Sequence, residues 1–158
     1  MNKLILTAAA ALLCNLTVQV AAAEPAQPIE LKGNVQLDKV VIENGREKHV
    51  MVEPKVVVPG DKLVFATAYR NTGSTPVSNF VVTNPIPAGV ALAQGDAPMA
   101  DVSVDGGKTW GKLANLTVTG TGGVKRAAQS GDVTHIRWTL ATVAPGASGT
   151  LTYHAVVR

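Results

Sequence analysis

The feature that most constrains this chain is a period-two alternation of apolar residues, interrupted every few residues by glycine, proline or asparagine. Leu63, Phe65, Thr67 and Tyr69 fall on one side of a run whose other side carries Val64, Ala66, Ala68 and Arg70. Ile136, Trp138 and Leu140 oppose His135, Arg137 and Thr139, and Leu151, Tyr153, Ala155 and Val157 oppose Thr152, His154, Val156 and Arg158. One apolar face with a period of two marks a half-buried antiparallel strand. The breaks are Asn44-Gly45, Pro59-Gly60-Asp61, Asn71-Thr72-Gly73, Asn84-Pro85-Ile86-Pro87, Asp105-Gly106-Gly107, Gly120 to Gly123, Gly131-Asp132 and Pro145-Gly146. Glycine supplies positive φ and proline presets φ, so each break has a mechanism. The pattern predicts strands near 30–42, 48–58, 62–71, 76–83, 88–94, 99–104, 109–119, 134–141 and 148–157, with a mobile loop over 121–131. Their spacing is that of a sandwich or barrel. No helical period appears after the first two dozen residues, so the expected class is all-β.

The first residues read differently. Met1-Asn2-Lys3 precedes an apolar run from Leu4 to Leu13, and the stretch ends in Ala21-Ala22-Ala23-Glu24. A positive start, a short apolar core and small residues before a cut are the parts of a secretory signal peptide. A membrane anchor would need about 20 predominantly apolar residues, and Asn15, Thr17 and Gln19 interrupt this one. Cys14 sits inside the apolar core after Leu13 rather than after a small residue, which argues against a lipoprotein. The expected organisation is a signal peptide over 1–23, an N-terminal tether and β-extension over 24–53, and a sandwich over 54–158. Cleavage after Ala23 removes the only cysteine, so an oxidising compartment offers this protein no disulfide and its stability rests on a packed core. The remaining length suits one such core.

Charge and aromatic content exclude some partners. The formal net charge is +3, of which Lys3 supplies one, and the signs are interspersed. That is too weak for a nucleic-acid footprint, and the scarcity of aromatic residues argues against a platform for stacked bases.

Three blocks carry a resemblance. They are Val58-Pro-Gly-Asp-Lys-Leu-Val-Phe-Ala-Thr-Ala-Tyr-Arg-Asn-Thr-Gly73, Pro76-Val-Ser-Asn-Phe-Val-Val-Thr-Asn-Pro-Ile-Pro-Ala-Gly89, and Arg137-Trp-Thr-Leu140 followed by Ala144-Pro-Gly-Ala-Ser-Gly-Thr-Leu-Thr-Tyr153. In this order they resemble the "conserved repeat" family, domain of unknown function eleven, of bacterial and archaeal exported and cell-surface proteins. The resemblance covers about residues 54–158. It implies an immunoglobulin-like antiparallel β-sandwich and no particular activity. The chain departs from the usual multi-copy form by holding one copy behind an N-terminal extension. Read physically, Asn71 and Gly73 are placed to take left-handed conformations where a strand reverses. Asn84-Pro85 and Pro87 redirect the chain between sheets, and the inward phase of Trp138 makes it the expected core plug.

Few residues offer chemistry. Ser103-Val-Asp-Gly-Gly-Lys-Thr-Trp110 matches an Asp-box, S-x-D-x-G-x-T-W. Propellers built on this device need several copies and there is one here. Ser103, Asp105, Gly107, Thr109 and Trp110 are therefore expected to form a structural turn. A carbohydrate contact at that turn is the alternative. No serine lies in a G-x-S-x-G elbow, and phosphate loops and dinucleotide fingerprints are absent. Three histidines, His49, His135 and His154, and no cysteine after Cys14 leave no usual structural zinc site. Asp96, Asp101 and Asp105 are spaced as solvated turn residues rather than calcium ligands. Catalytic, cofactor-binding and metal-binding residues are thus none. The short Pro145-Gly146 turn predicts that strands 134–141 and 148–157 pair directly, with Ile136 or Trp138 opposite Tyr153. Either register gathers His135, Arg137 and His154 on one outward patch. That patch reads as a solvated polar face or, more sharply, as a weakly cationic contact for an acidic partner.

The functional expectation is a non-catalytic exported module of the periplasm or cell surface that meets an unknown protein or glycan of the envelope. It has no membrane span once the signal is cleaved. N-terminal sequencing of the exported protein is expected to read from Glu24; an intact Met1 or a start at a lipidated Cys14 would refute the assignment.

Overall fold

The computed structural model describes residues 28–93 and 100–158, so the Ala23 cleavage site, the tether before Pro28 and Asp96 lie outside the described residues. Ten strands follow in order: β1 (Ile29–Glu43), β2 (Arg46–Val52), β3 (Lys62–Asn71), β4 (Val77–Pro85), β5 (Val90–Leu92), β6 (Asp101–Ser103), β7 (Thr117–Thr119), β8 (Lys125–Ala127), β9 (His135–Val143) and β10 (Ser148–Val157). A five-stranded antiparallel sheet has the order β2-β1-β3-β10-β5, a three-stranded one has the order β4-β9-β6, and β7 and β8 form a separate ribbon. The two larger sheets do not close on each other. They share one core, and the protein is an all-β, immunoglobulin-like sandwich.

The alternation read from sequence sets which residues meet in that core. Leu63 on β3, Tyr153 and Ala155 on β10, and Val90 and Leu92 on β5 face Ile136 and Trp138 on β9 and Val102 on β6. Trp138 is buried, as its phase requires, but the most enclosed aromatic is Tyr153, at 2% exposure. The Tyr153 ring stacks on Phe65 at 4.8 Å and meets Trp138 at 6.3 Å. Burial pushes its hydroxyl up to about 12.

Strands β9 and β10 do not pair with each other. They lie in different sheets, and the expected hairpin is a crossover. Their apolar residues satisfy the same core from opposite sides, so sharing one face of one sheet is unnecessary. The same holds for β3 and β4. The two crossovers run side by side and are tied together by Asn71, whose side chain is fully buried. Its Nδ2 donates to the carbonyls of Val143 and Thr75, both at 2.9 Å, and its Oδ1 accepts from the Gly73 N–H at 2.9 Å. Its backbone N–H donates to Ala147 and its carbonyl accepts from Gly146. Neither Asn71 nor Gly73 has the left-handed φ expected of them. Asn71 acts through its amide, and Gly73 acts through space, since a Cβ there would lie 2.5 Å from Pro28 Cβ.

Other differences are local. The run 109–119 is not one strand. Gly111 makes a single bridge to Val102, a 3-10 turn covers Leu113–Asn115, and only Thr117–Thr119 is extended. The segment 121–131 contains β8, which pairs with β7, and Arg126 forms a two-armed contact with Asp132 at 2.6 and 2.7 Å. That guanidinium, and then the Gln129 N–H, hold the Asp132 carboxyl down at about 2. The expected strand 48–58 stops at Val52, before Pro54.

The N-terminal extension joins the main sheet. Strand β1 pairs with β3 from Ile29↔Asn71 to Asp38↔Lys62. Beyond Asp38 it continues with β2 alone, up to an Asn44-Gly45 turn with φ of 53° and 75°. Two positive φ values match the tight hairpin turn whose twist suits flanking strands.

The Asn71→Leu variant keeps the branching of the side chain but removes one hydrogen bond from the buried Val143 carbonyl and two from the part-buried Thr75 carbonyl and Gly73 N–H. At about 1–3 kcal/mol for a buried group left without a partner, and less for the part-buried ones, denaturant melts are expected to show a loss of at least about 2 kcal/mol. A loss below about 1 kcal/mol, as for a surface substitution, would show that the crossovers hold without the amide.

Candidate functional site

Two regions hold the side chains with something to offer a partner: the turn after β6 and the end of the β1–β2 hairpin. In the first, Ser103 is fully buried at the end of β6. Its hydroxyl donates to Asp105 Oδ1 at 2.7 Å and accepts from the Gly107 N–H at 2.9 Å. Asp105 Oδ1 also accepts from the N–H groups of Lys108 and Thr109, and Oδ2 accepts from the Thr109 hydroxyl at 2.7 Å. Gly106 and Gly107 carry φ of 77° and 88°, which the turn requires. The Trp110 Nε1–H donates to the Gly107 carbonyl at 2.9 Å. All five residues singled out from the sequence are thus brought together in one turn. The Thr109 N–H is the largest influence holding the Asp105 carboxyl below the usual carboxylate range, followed by the hydroxyls of Thr109 and Ser103.

The turn folds Trp110 onto the outer face of the three-stranded sheet. Arg137 lies over its ring at 4.4 Å, and His135 meets it edge-on at 6.2 Å. Arg137 pairs across the sheet with Asp101, with its guanidinium 3.6 Å from the carboxylate. Lys112 approaches the same carboxylate at 3.3 Å and donates to the Ala100 carbonyl. The Arg137 Nε is buried without a hydrogen-bond partner. Asp101 is therefore one member of a cation-rich cluster rather than a solvated turn residue.

His154 does not belong to that cluster. It sits on β10 opposite Val64 of β3, on the outward side of the five-stranded sheet. His135 and Arg137 occupy the outward side of the other sheet. The sandwich core separates them, so the expected patch of His135, Arg137 and His154 does not exist. Pro145-Gly146 is not a hairpin turn, because the Gly146 N–H is bound to the Asn71 carbonyl at the end of β3. Among the described residues no group of three or more His, Cys, Asp or Glu side chains is placed to hold a metal ion. No helix among them is long and apolar enough to cross a membrane.

The second region went unnoticed in the sequence. Seven of the ten large apolar residues exposed among the described residues lie between positions 40 and 58: Val40, Ile42, Met51, Val52, Val56, Val57 and Val58. Val40 and Ile42 lie on the part of β1 that projects past β3, paired only with β2. Val40, Val56 and Val58 line one open depression. His49 is bound to Asp38 at 2.7 Å on the same face. The signal for this arm is a phase break. Ile29, Val35 and Leu37 keep odd numbers inward, and then Lys39 takes the apolar phase while Val40 and Ile42 take the polar one.

In comparison with known proteins, no family model, no curated protein and no solved structure matches the chain.

Asp105 is held ionised by its folded surroundings, so it stabilises the turn above the ordinary carboxylate value of 3.8 and loses that contribution as pH falls below it. Amide exchange at Lys108 and Thr109 is expected to speed up as pH is lowered from about 4, after correction for intrinsic rates. In Asp105→Ala it is expected to be fast at every pH. Protection that is unchanged in that variant would refute the role.

Proposed function

We propose that this chain is a non-catalytic structural or interaction module of the bacterial periplasm or cell surface, exported by a cleaved signal peptide. The observation that carries the reading is the β1–β2 arm. It projects past β3 and concentrates exposed apolar side chains at its face and base. Scattered exposed apolar residues are ordinary, whereas a grouped patch marks an interaction surface. The resemblance to the "conserved repeat" family of exported and surface proteins points the same way, and the immunoglobulin-like sandwich is compatible with it.

A carbohydrate-binding module at the Asp-box-like turn, 103–110, is the alternative. It has less support, because the turn's polar groups are engaged within the turn. Both Asp105 oxygens, the Ser103 hydroxyl and the Trp110 N–H have partners there, and Arg137 covers one face of the indole. The arm has no such internal use for Ile42, which is 69% exposed.

A photo-crosslinking residue at position 42, introduced into the protein in intact cells, tests the reading. Crosslinks to an envelope macromolecule are expected from position 42, and none from position 152 on the outer face of the five-stranded sheet. An arm that crosslinks to nothing would refute it.

A further inference from the structure

The free side of β2 has a pattern of its own. Because Asn44-Gly45 is a two-residue turn, Glu43 and Arg46 form the hydrogen-bonded pair that closes the hairpin. Pairs then alternate, so Arg46, Lys48, Val50 and Val52 turn their backbone groups toward β1. Glu47, His49 and Met51 turn theirs outward, where β2 has no neighbour among the described residues. The edge strand β4 of the other sheet is guarded, with Pro76 before it, Asn79 at φ 53° inside it and Pro85 at its end. Such devices blunt an edge. Between Arg46 and Val52, β2 has no proline and no positive φ.

We propose that β2 is a self-pairing edge, and that two copies of this chain join antiparallel through it about a two-fold axis at His49. The inference rests on the reading of the chain as an interaction module. It names a second copy as the partner at this edge. Self-pairing must match outward-facing residues with outward-facing residues, which leaves three central registers. One sets Glu47 against His49 and Lys48 against Lys48. Another sets Glu47 against Glu53. Like charges directly opposed destabilise a strand pair. The third sets His49 against His49, Glu47 against Met51, Lys48 against Val50 and Arg46 against Val52. In that register no lysine, arginine or glutamate meets its own kind, and the two opposed His49 rings are each held by the Asp38 carboxylate of their own copy at 2.7 Å. Each long charged stem lies over an apolar side chain of the other copy, which is how such stems are buried with their heads in water. Met51 and Val52, 47% and 37% exposed, gain cover from Glu47 and Arg46 of the mate. The pairing extends the five-stranded sheet across both copies. It is isologous and closes at two, as most symmetric assemblies do.

The test uses the full chain expressed with export, carrying Cys14→Ser so that an introduced cysteine is its only thiol. Light scattering up to about 100 µM, a hundredfold above a micromolar dissociation constant, is expected to give twice the chain mass. His49→Cys is expected to form a disulfide between copies under mild oxidation, since opposed hydrogen-bonded residues have Cα atoms about 5.5 Å apart. Arg46→Cys, on the same strand but far from its own counterpart, is expected to stay reduced. A mixture of Glu47→Cys and Met51→Cys is expected to crosslink as a heterodimer. His49→Pro removes an outward N–H and the side-chain contact with Asp38 but no backbone hydrogen bond to β1, and is expected to give a monomer with a cooperative melt; His49→Ala, which loses the Asp38 contact and keeps the N–H, is expected to stay dimeric. If His49→Pro does not fold, the cysteine pairs decide alone. A monomer over the whole range, or a dimer whose thiol at position 49 stays free, overturns the proposal. A monomer whose position 42 still crosslinks to a different envelope macromolecule overturns the dimer and leaves the module reading standing.

Discussion

The buried amide of Asn71 is the interaction on which the architecture depends. A sandwich whose consecutive strands change sheets must carry backbone through its end without the pairing that strands provide. Buried backbone groups there need partners from somewhere. Asn71 supplies them to both crossovers at once, reaching Thr75 and Gly73 on its own side and Val143 on the other. With that link made, β3 and β10 can be neighbours in one sheet while β4 and β9 are neighbours in the other. The inward faces of β3, β9 and β10 then meet around Tyr153, Ile136 and Trp138.

Much of this was legible because period two is a strong signal. Strand β3 matches its expected bounds, and the inward phase of Ile136, Trp138, Tyr153 and Ala155 is as the alternation implies. The destination of each strand was not legible. A Pro-Gly turn after a strand fits a hairpin and a crossover equally well, and the choice lies with Asn71, which sits over seventy residues away in sequence from Val143. With β9 and β10 in different sheets, His135 and His154 point away from each other. The stretch 109–119 differs from the expected strand for a related reason. Trp110, Leu113 and Leu116 look like strand residues in sequence, but Leu113 and Leu116 pack from a 3-10 turn against the core cluster, with no ladder.

The turn at 103–110 was the clearest local prediction, because nearly all of its interactions are within eight residues. Ser103, Asp105 and Thr109 need only each other's hydroxyl, carboxylate and amide groups. What the sequence could not disclose is where Trp110 lands. It closes over Arg137 and His135, residues of a strand more than twenty positions away. The turn therefore acts as a clasp over the outer face of the smaller sheet. The cation-rich cluster of Arg137, Lys112 and Asp101 follows from that placement.

Strand β1 is continuous for fifteen residues, yet it belongs to two environments. Its first ten residues pair with β3, and its last five run past β3 and pair with β2 alone. The two parts share one uninterrupted backbone, so a load applied at the arm does not dissipate in a flexible joint. It passes lengthwise into ten pairings that must slide together rather than open one after another. Next to them, β3 transmits the load to Asn71 and so to both crossovers. A pull along the arm is thus resisted by the whole length of the ladder in shear. The arm is mechanically a handle set into the body of the domain.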